Sequence, residues 1–139
     1  MTQDHEQDIA DLGRRLGARR AELAQEVRTL DAETADATAQ AAQSTTGGPH
    51  EPGDEGDRGE QAIRTAVRHA EKERDQQELQ QIAQAQERMR SGDYGLCVDC
   101  GAPIAMERLQ ALPAAERCIA CQERHERAHP GAIRISLSS

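Results

Sequence analysis

Apolar residues recur every seven positions near the start of the chain, at Ile9, Leu16, Leu23 and Leu30, and the series continues as Ala37. Leu12, Val27, Thr34 and Ala41 widen this stripe into one continuous edge. A seven-residue repeat confined to one edge belongs to a helix that packs on another helix, so the pattern predicts a first helix over residues 4–43. Gly13 and Gly17 lie one turn apart within it. Each costs about 1 kcal/mol relative to alanine in a helix interior, and each either lets another element approach closely or frays the helix end. From 44 to 56 the text changes to STTGGPHEPGDEG, where two prolines and four glycines exclude a helix. A second helix is predicted from 57 or 58 to about 90, with Ile63, Val67 and Ala70 near its start and Leu79, Ile82, Ala85 and Met89 near its end. Between them EKERDQQE has no apolar residue. That middle stretch is expected to be loosely packed and hydrated, held by helix propensity and charge pairs such as Glu71 with Arg74.

Two helices of roughly 35 residues would fold back into an antiparallel coiled-coil hairpin about 50 Å long, with the break near 44–57 as its tip. Composition supports this architecture. The 139-residue chain has no Phe or Trp and a single Tyr, and its mean hydropathy is −0.83, so it cannot supply a large globular core. The predicted fold class is all-α with a small metal-binding base, and the predicted division is 1–93 for the hairpin, 94–129 for a base ending in a short helix, and 130–139 for a tail. The net charge of −8 falls in the first two thirds, because acids and bases balance from Tyr94 onward. An acidic chain with no aromatic stacking platform and no basic stripe argues against a nucleic-acid reader.

The strongest chemical statement is made by the cysteines. Cys97, Cys100, Cys118 and Cys121 form two CxxC pairs with a 17-residue spacer and are the only four in the chain. Two such knuckles facing each other supply the tetrahedral sulfur cage that zinc prefers, and with four protein ligands no position is left for water or substrate. One structural zinc is expected. Two disulfides are the rival reading, but MTQDHEQDIAD offers no apolar leader and no stretch could span a membrane, so the expected setting is the reducing cytoplasm. A secondary redox-sensing use of the same thiols stays open. No nucleophile–base constellation and no phosphate loop is present, so the chain reads as no enzyme. His125 and His129 share a helix face at i, i+4, yet the thiolates already complete the site, so solvated histidines are expected.

From Ser91 the sequence SGDYGLCVDCGAPIAMERLQALPAAERCIACQ resembles the DksA/TraR family of bacterial transcription regulators. Tyr94 and Gly95 before Cys97, Gly101 after Cys100, then Ile104, Arg108, Leu109, Ala111 and Pro113 before Cys118, Ile119 and Cys121 carry the likeness. Gly101 suits a left-handed turn after the first knuckle, and Ile104, Leu109 and Ile119 are expected to cap the metal. Arg108 and Arg117 are expected to offset part of its thiolate charge. The resemblance implies a coiled-coil hairpin before the finger and a helix after it, here about 119–128, stopping before Pro130. It also implies direct binding to RNA polymerase, with the coiled-coil tip entering the secondary channel.

At that tip the family has DxxDxA; here Asp54 and Asp57 are in register and Gly59 replaces the alanine. Asp57 with Glu60 also fits a helix capping box, so both readings stand for it. Arg74 aligns with a family arginine and is a candidate polymerase contact, a surface ion pair being the other reading. At three places where ppGpp-responsive members carry basic side chains, this chain has Gln81, Leu112 and Gln122. Neutral replacements forfeit charge-assisted bonds to phosphate, so weak or absent ppGpp dependence is expected. The implied function is regulation of initiation, and an apolar stripe narrow enough to be used up within the hairpin predicts a monomer. A zinc-stabilised interaction module with another partner is the alternative.

Overall fold

The structure, a computed structural model, describes residues 2–44 and 54–129. Four helices follow in order: α1 Thr2–Ser44, α2 Asp54–Ser91, α3 Met106–Ala111 and α4 Ile119–Ala128. Among the described residues there is no strand, only an isolated antiparallel bridge between Leu96 and Pro103. The fold is all-α with a small cysteine-bearing base. The chain forms two compact units. One joins α1 as far as Arg19 to the chain from Gln80 onward; the other is Arg20–Leu79.

In the first unit the apolar stripe does what its spacing predicts. Leu12 and Leu16 of α1 and Ile82 and Ala85 of α2 are buried to 3% exposure or less. A Cβ on Gly13 would meet Met89 Sδ at 3.4 Å, so this glycine marks a close approach of the two helices. Gly17 has nothing within 4 Å and serves no such contact.

In the second unit Leu23 and Leu30 are buried, and Asp31 of α1 pairs with Lys72 of α2 at 2.6 Å. The expectation for the start of α2 fails, however. Ile63 and Val67 are 65% and 50% exposed, and Ala70 is exposed too, while Thr65, Arg68, Lys72 and Asp75 are partly covered. The cause is helical phase. Leu79 marks the edge of α2 that faces α1 in this unit, and steps of four and three residues back from it reach Asp75, Lys72, Arg68 and Thr65. At 3.5 residues per turn Ile63 lies about 150° around the helix from Leu79. The seam of this unit is therefore apolar on α1 and largely polar on α2.

One boundary and one element also differ from expectation. α2 begins at Asp54, three residues before the predicted start, so Asp57 lies inside the first turn and is not a capping residue. α3 was not anticipated. The tip residues 45–53 and the tail from Pro130 lie outside the described residues, as do the side chains of Asp54 and Asp57.

Leu12→Ala is expected to destabilise the protein by about 2–5 kcal/mol. Val67→Ala, on the outward face, should stay within about 0.5 kcal/mol of wild type. Denaturant titration followed by circular dichroism checks both, and a Val67→Ala cost equal to that of Leu12→Ala would reject the phase described for α2.

Candidate metal centre

The four cysteines arrive from two different local structures. The first knuckle is a tight hairpin turn: Cys97 N–H donates to Ala102 O at 2.8 Å, Gly101 N–H to Cys97 O at 2.9 Å, and Ile104 N–H to Gly95 O at 2.7 Å. Gly101 takes φ +76°, as expected for the residue that reverses the chain after Cys100. The second knuckle opens a helix. Cys118 is the N-cap of α4 and Cys121 lies in its first turn, where unpaired N–H groups and the helix dipole favour negative sulfur.

The knuckles are tied by a backbone bond from Val98 N–H to Glu116 O at 2.9 Å and by Arg117 Nε donating to Asp99 Oδ2 at 2.8 Å. Behind them Arg108 Nε of α3 donates to Arg117 O at 3.0 Å. Arg108 and Arg117 thus direct their bonds to a carbonyl and to carboxylates. The guanidinium bonded to a ligand sulfur is that of Arg124, whose Nη2 donates to Cys121 Sγ at 3.1 Å. The sequence signal for it was available: Arg124 follows Cys121 by three residues, one helical turn.

The ligand atoms of Cys97, Cys100, Cys118 and Cys121 all lie within 4.8 Å of one another, and no cysteine is in a disulfide. Cys100 and Cys118 sulfurs are 3.9 Å apart. A regular tetrahedron with Zn–S bonds of about 2.3 Å has edges of about 3.8 Å, so the donor set fits one structural zinc, which when bound joins the two knuckles and presents no open coordination position. Burial works to raise the Cys97 thiol, but backbone N–H groups of Cys100, Cys118 and Asp99 and the Cys100 side chain outweigh it and bring Cys97 down to about 6. Burial and hydrogen bonds with the other three thiols push Cys121 up to about 12, with Arg124 opposing.

Around the centre Ile104 and Leu109 are buried, as expected, whereas Ile119 is 58% exposed and caps nothing. His125 and His129 stack on each other with ring centroids 4.5 Å apart. Tyr94 is the clasp between the end of α2 and the finger. It is buried, its hydroxyl donates to Pro113 O at 2.8 Å, and burial, against Arg88 and Arg15, pushes its pKa up to about 12. It is therefore a neutral donor. Arg88 adds an ion pair to Glu116 at 3.7 Å.

The remaining sequence-predicted positions lie apart from this centre. Arg74 is an exposed residue of α2 in the second unit. Gln81 is half-buried on α2, Leu112 is the C-cap of α3, and Gln122 on α4 bonds to Glu126 at 3.2 Å.

A four-thiolate finger carried on two long paired helices defines the class: a small zinc-stabilised helical protein. The family "prokaryotic dksA/traR C4-type zinc finger" matches residues 92–127. Two sequences from strains of Caulobacter vibrioides, each named "RNA polymerase-binding transcription factor DksA", are 41% identical over 56 residues, 40% of this chain and 39% of theirs. The matched segment thus spans about two fifths of the length of those curated relatives. A solved structure, that of transcription factor DksA2 from Pseudomonas aeruginosa, superposes with a TM-score of 0.69 at 26% identity, covering 90% of this chain and 88% of that one. The finger is thus similar to that family, and the whole-chain fold is similar to that of the DksA2 structure.

Zinc and protons compete for the thiols. With Cys121 protonated below about 12, zinc binding near neutral pH is expected to release at least one proton, and affinity should rise with pH. Calorimetric titration in buffers of different ionisation enthalpy measures the release, and zero protons would contradict the described site. Separately, Tyr94→Phe should cost about 1–3 kcal/mol, because the Pro113 carbonyl loses its donor; thermal unfolding of the zinc-loaded protein reads this.

Proposed function

We propose that this protein is a transcription regulator that binds RNA polymerase directly, places the tip of its helical hairpin in the secondary channel and modulates initiation. The observation that carries this reading is the likeness over 90% of the chain to a transcription factor of the DksA type, joined to a finger whose curated relatives are named for binding RNA polymerase. The hairpin, residues 1–93, delivers the tip; the finger and its helix, 94–129, form a zinc-dependent base. The protein catalyses no reaction itself, works as a monomer in the compartment of the polymerase, and reads no DNA sequence.

Asp54 and Asp57 are the tip groups in this reading. They act by charge and shape near mobile elements and basic residues of the polymerase. Their backbones occupy the first turn of α2, which gives a helical mount, and Gly59 softens it relative to an alanine by about 1 kcal/mol. Arg74, exposed on the same helix, is available as a polymerase contact. Gln81, Leu112 and Gln122 bring no positive charge, so the regulator works with little or no dependence on ppGpp. A second reading, an interaction module with another partner, is favoured by the exposure of Ile63 and Val67 on α2.

The test is binding of the zinc-loaded protein to bacterial core RNA polymerase, with transcription from a ribosomal RNA promoter followed with and without ppGpp. Binding is expected, with an effect on initiation that Asp54→Asn/Asp57→Asn reduces strongly and ppGpp leaves unchanged. Absence of binding at micromolar protein would overturn the polymerase reading. A strong ppGpp effect would overturn only the nucleotide-independent part.

A further inference from the structure

The cysteine cluster opens on a recess beside α4. This recess of about 340 Å³ is lined by Asp99, Cys100, Cys121, Arg124 and His125, and so reaches one thiol from each knuckle. Cys97 and Cys121 are equally buried, each at 3% exposure, but only Cys121 of the two lines this wall. Arg124 stands in the recess with its Nη2 hydrogen-bonded to Cys121 Sγ at 3.1 Å. Arg117, the other guanidinium close to the knuckles, is held by Asp99 and Glu116 at 2.8 and 2.7 Å.

We propose that this recess is the face through which zinc is exchanged with small chelating molecules, and that Arg124 is the positioning residue that guards it. A four-thiolate zinc site carries two net negative charges. An N–H···S bond from a guanidinium draws charge from the sulfur and makes it a poorer target for protons and electrophiles. The same side chain occupies the approach to the Zn–Sγ bond of Cys121. Exchange is ligand substitution without redox change. A donor atom of the incoming chelator bonds to zinc as the Zn–Sγ bond breaks, the electron pair stays on sulfur, and the thiolate takes a proton from water. Cys121 and Cys100, the two thiols in the recess, let go first.

The experiment uses the full zinc-loaded chain with the chromogenic chelator 4-(2-pyridylazo)resorcinol as zinc acceptor, and iodoacetamide with peptide mass mapping to locate freed thiols. Arg124→Ala is expected to speed zinc transfer about tenfold, in line with the loss of other outer-shell partners of metal ligands. Arg124→Lys should restore part of the wild-type rate, and Arg127→Ala, one residue type and less than one turn away, should leave it unchanged. In wild type, alkylation during zinc withdrawal should appear at Cys100 and Cys121 before Cys97. Wild-type transfer rates in Arg124→Ala, an equal acceleration in Arg127→Ala, or first alkylation at Cys97 would each overturn the proposal. The order of alkylation in wild type decides the matter even if Arg124→Ala fails to fold.

Discussion

Everything at the base of this protein depends on bringing four sulfurs to one point. Residues 92–129 contribute only Tyr94, Cys97, Ile104, Leu109 and Cys121 as buried apolar side chains, too little to hold a fold by burial alone. A structural zinc supplies about 10–16 kcal/mol in such small sites, which exceeds anything the finger gains from its hydrogen bonds. The contacts that accompany it are therefore best seen as orientation. The Val98–Glu116 backbone bond and the Arg117–Asp99 pair set the angle between the knuckles. The Arg88–Glu116 pair and the Tyr94–Pro113 bond then fix that angle to the end of α2.

The two knuckles solve the same electrostatic problem in different ways. Cys97 and Cys100 sit in a turn whose N–H groups point at sulfur, and these, with the Cys118 N–H and the Cys100 side chain, bring Cys97 down to about 6 against its burial. Cys118 and Cys121 instead start a helix, whose free N–H groups and dipole favour anions. Cys121 is nonetheless raised in the thiol form, because burial and three neighbouring thiols outweigh the single guanidinium of Arg124. The fold thus favours the thiolate at Cys97 and the thiol at Cys121.

Much of this was legible in the sequence because strong local signals agreed with the tertiary arrangement. The heptad leucines of α1 are buried where the spacing put them, and the cysteine spacing defined the ligand set. The bounds of α4 were readable because a CxxC pair opens the helix and Pro130 follows it. What escaped was decided by phase or by length. α3, MERLQA, is too short to show a periodic stripe. Ile63 and Val67 looked like a continuation of the apolar edge of α2, yet within their unit that edge follows Leu79, and a continuous helix has no freedom to turn a second patch toward the same neighbour. Ile119 was expected over the metal, but on the first turn of α4 it follows Cys118 directly. When Cys118 points at the cluster, the next residue points away.

The polar seam between Arg20 and Leu79 has its own consequence for how the hairpin works. Lys72 and Asp31 form an ion pair with 34% and 53% side-chain exposure, the kind that contributes about 0–1 kcal/mol. The buried Nε of Arg68 has no partner among the described residues, which costs stability in place of adding it. Leu23 and Leu30 are left as the main apolar anchors of this unit. Helix length, not packing, then keeps these segments ordered, and Gly56 and Gly59 in the first two turns of α2 subtract further from it. Such a unit can adjust its outer turns at low cost when it meets a partner. The same economy leaves Ile63 and Val67 facing outward, so a surface that met them would gain apolar contact without disturbing the α1–α2 seam.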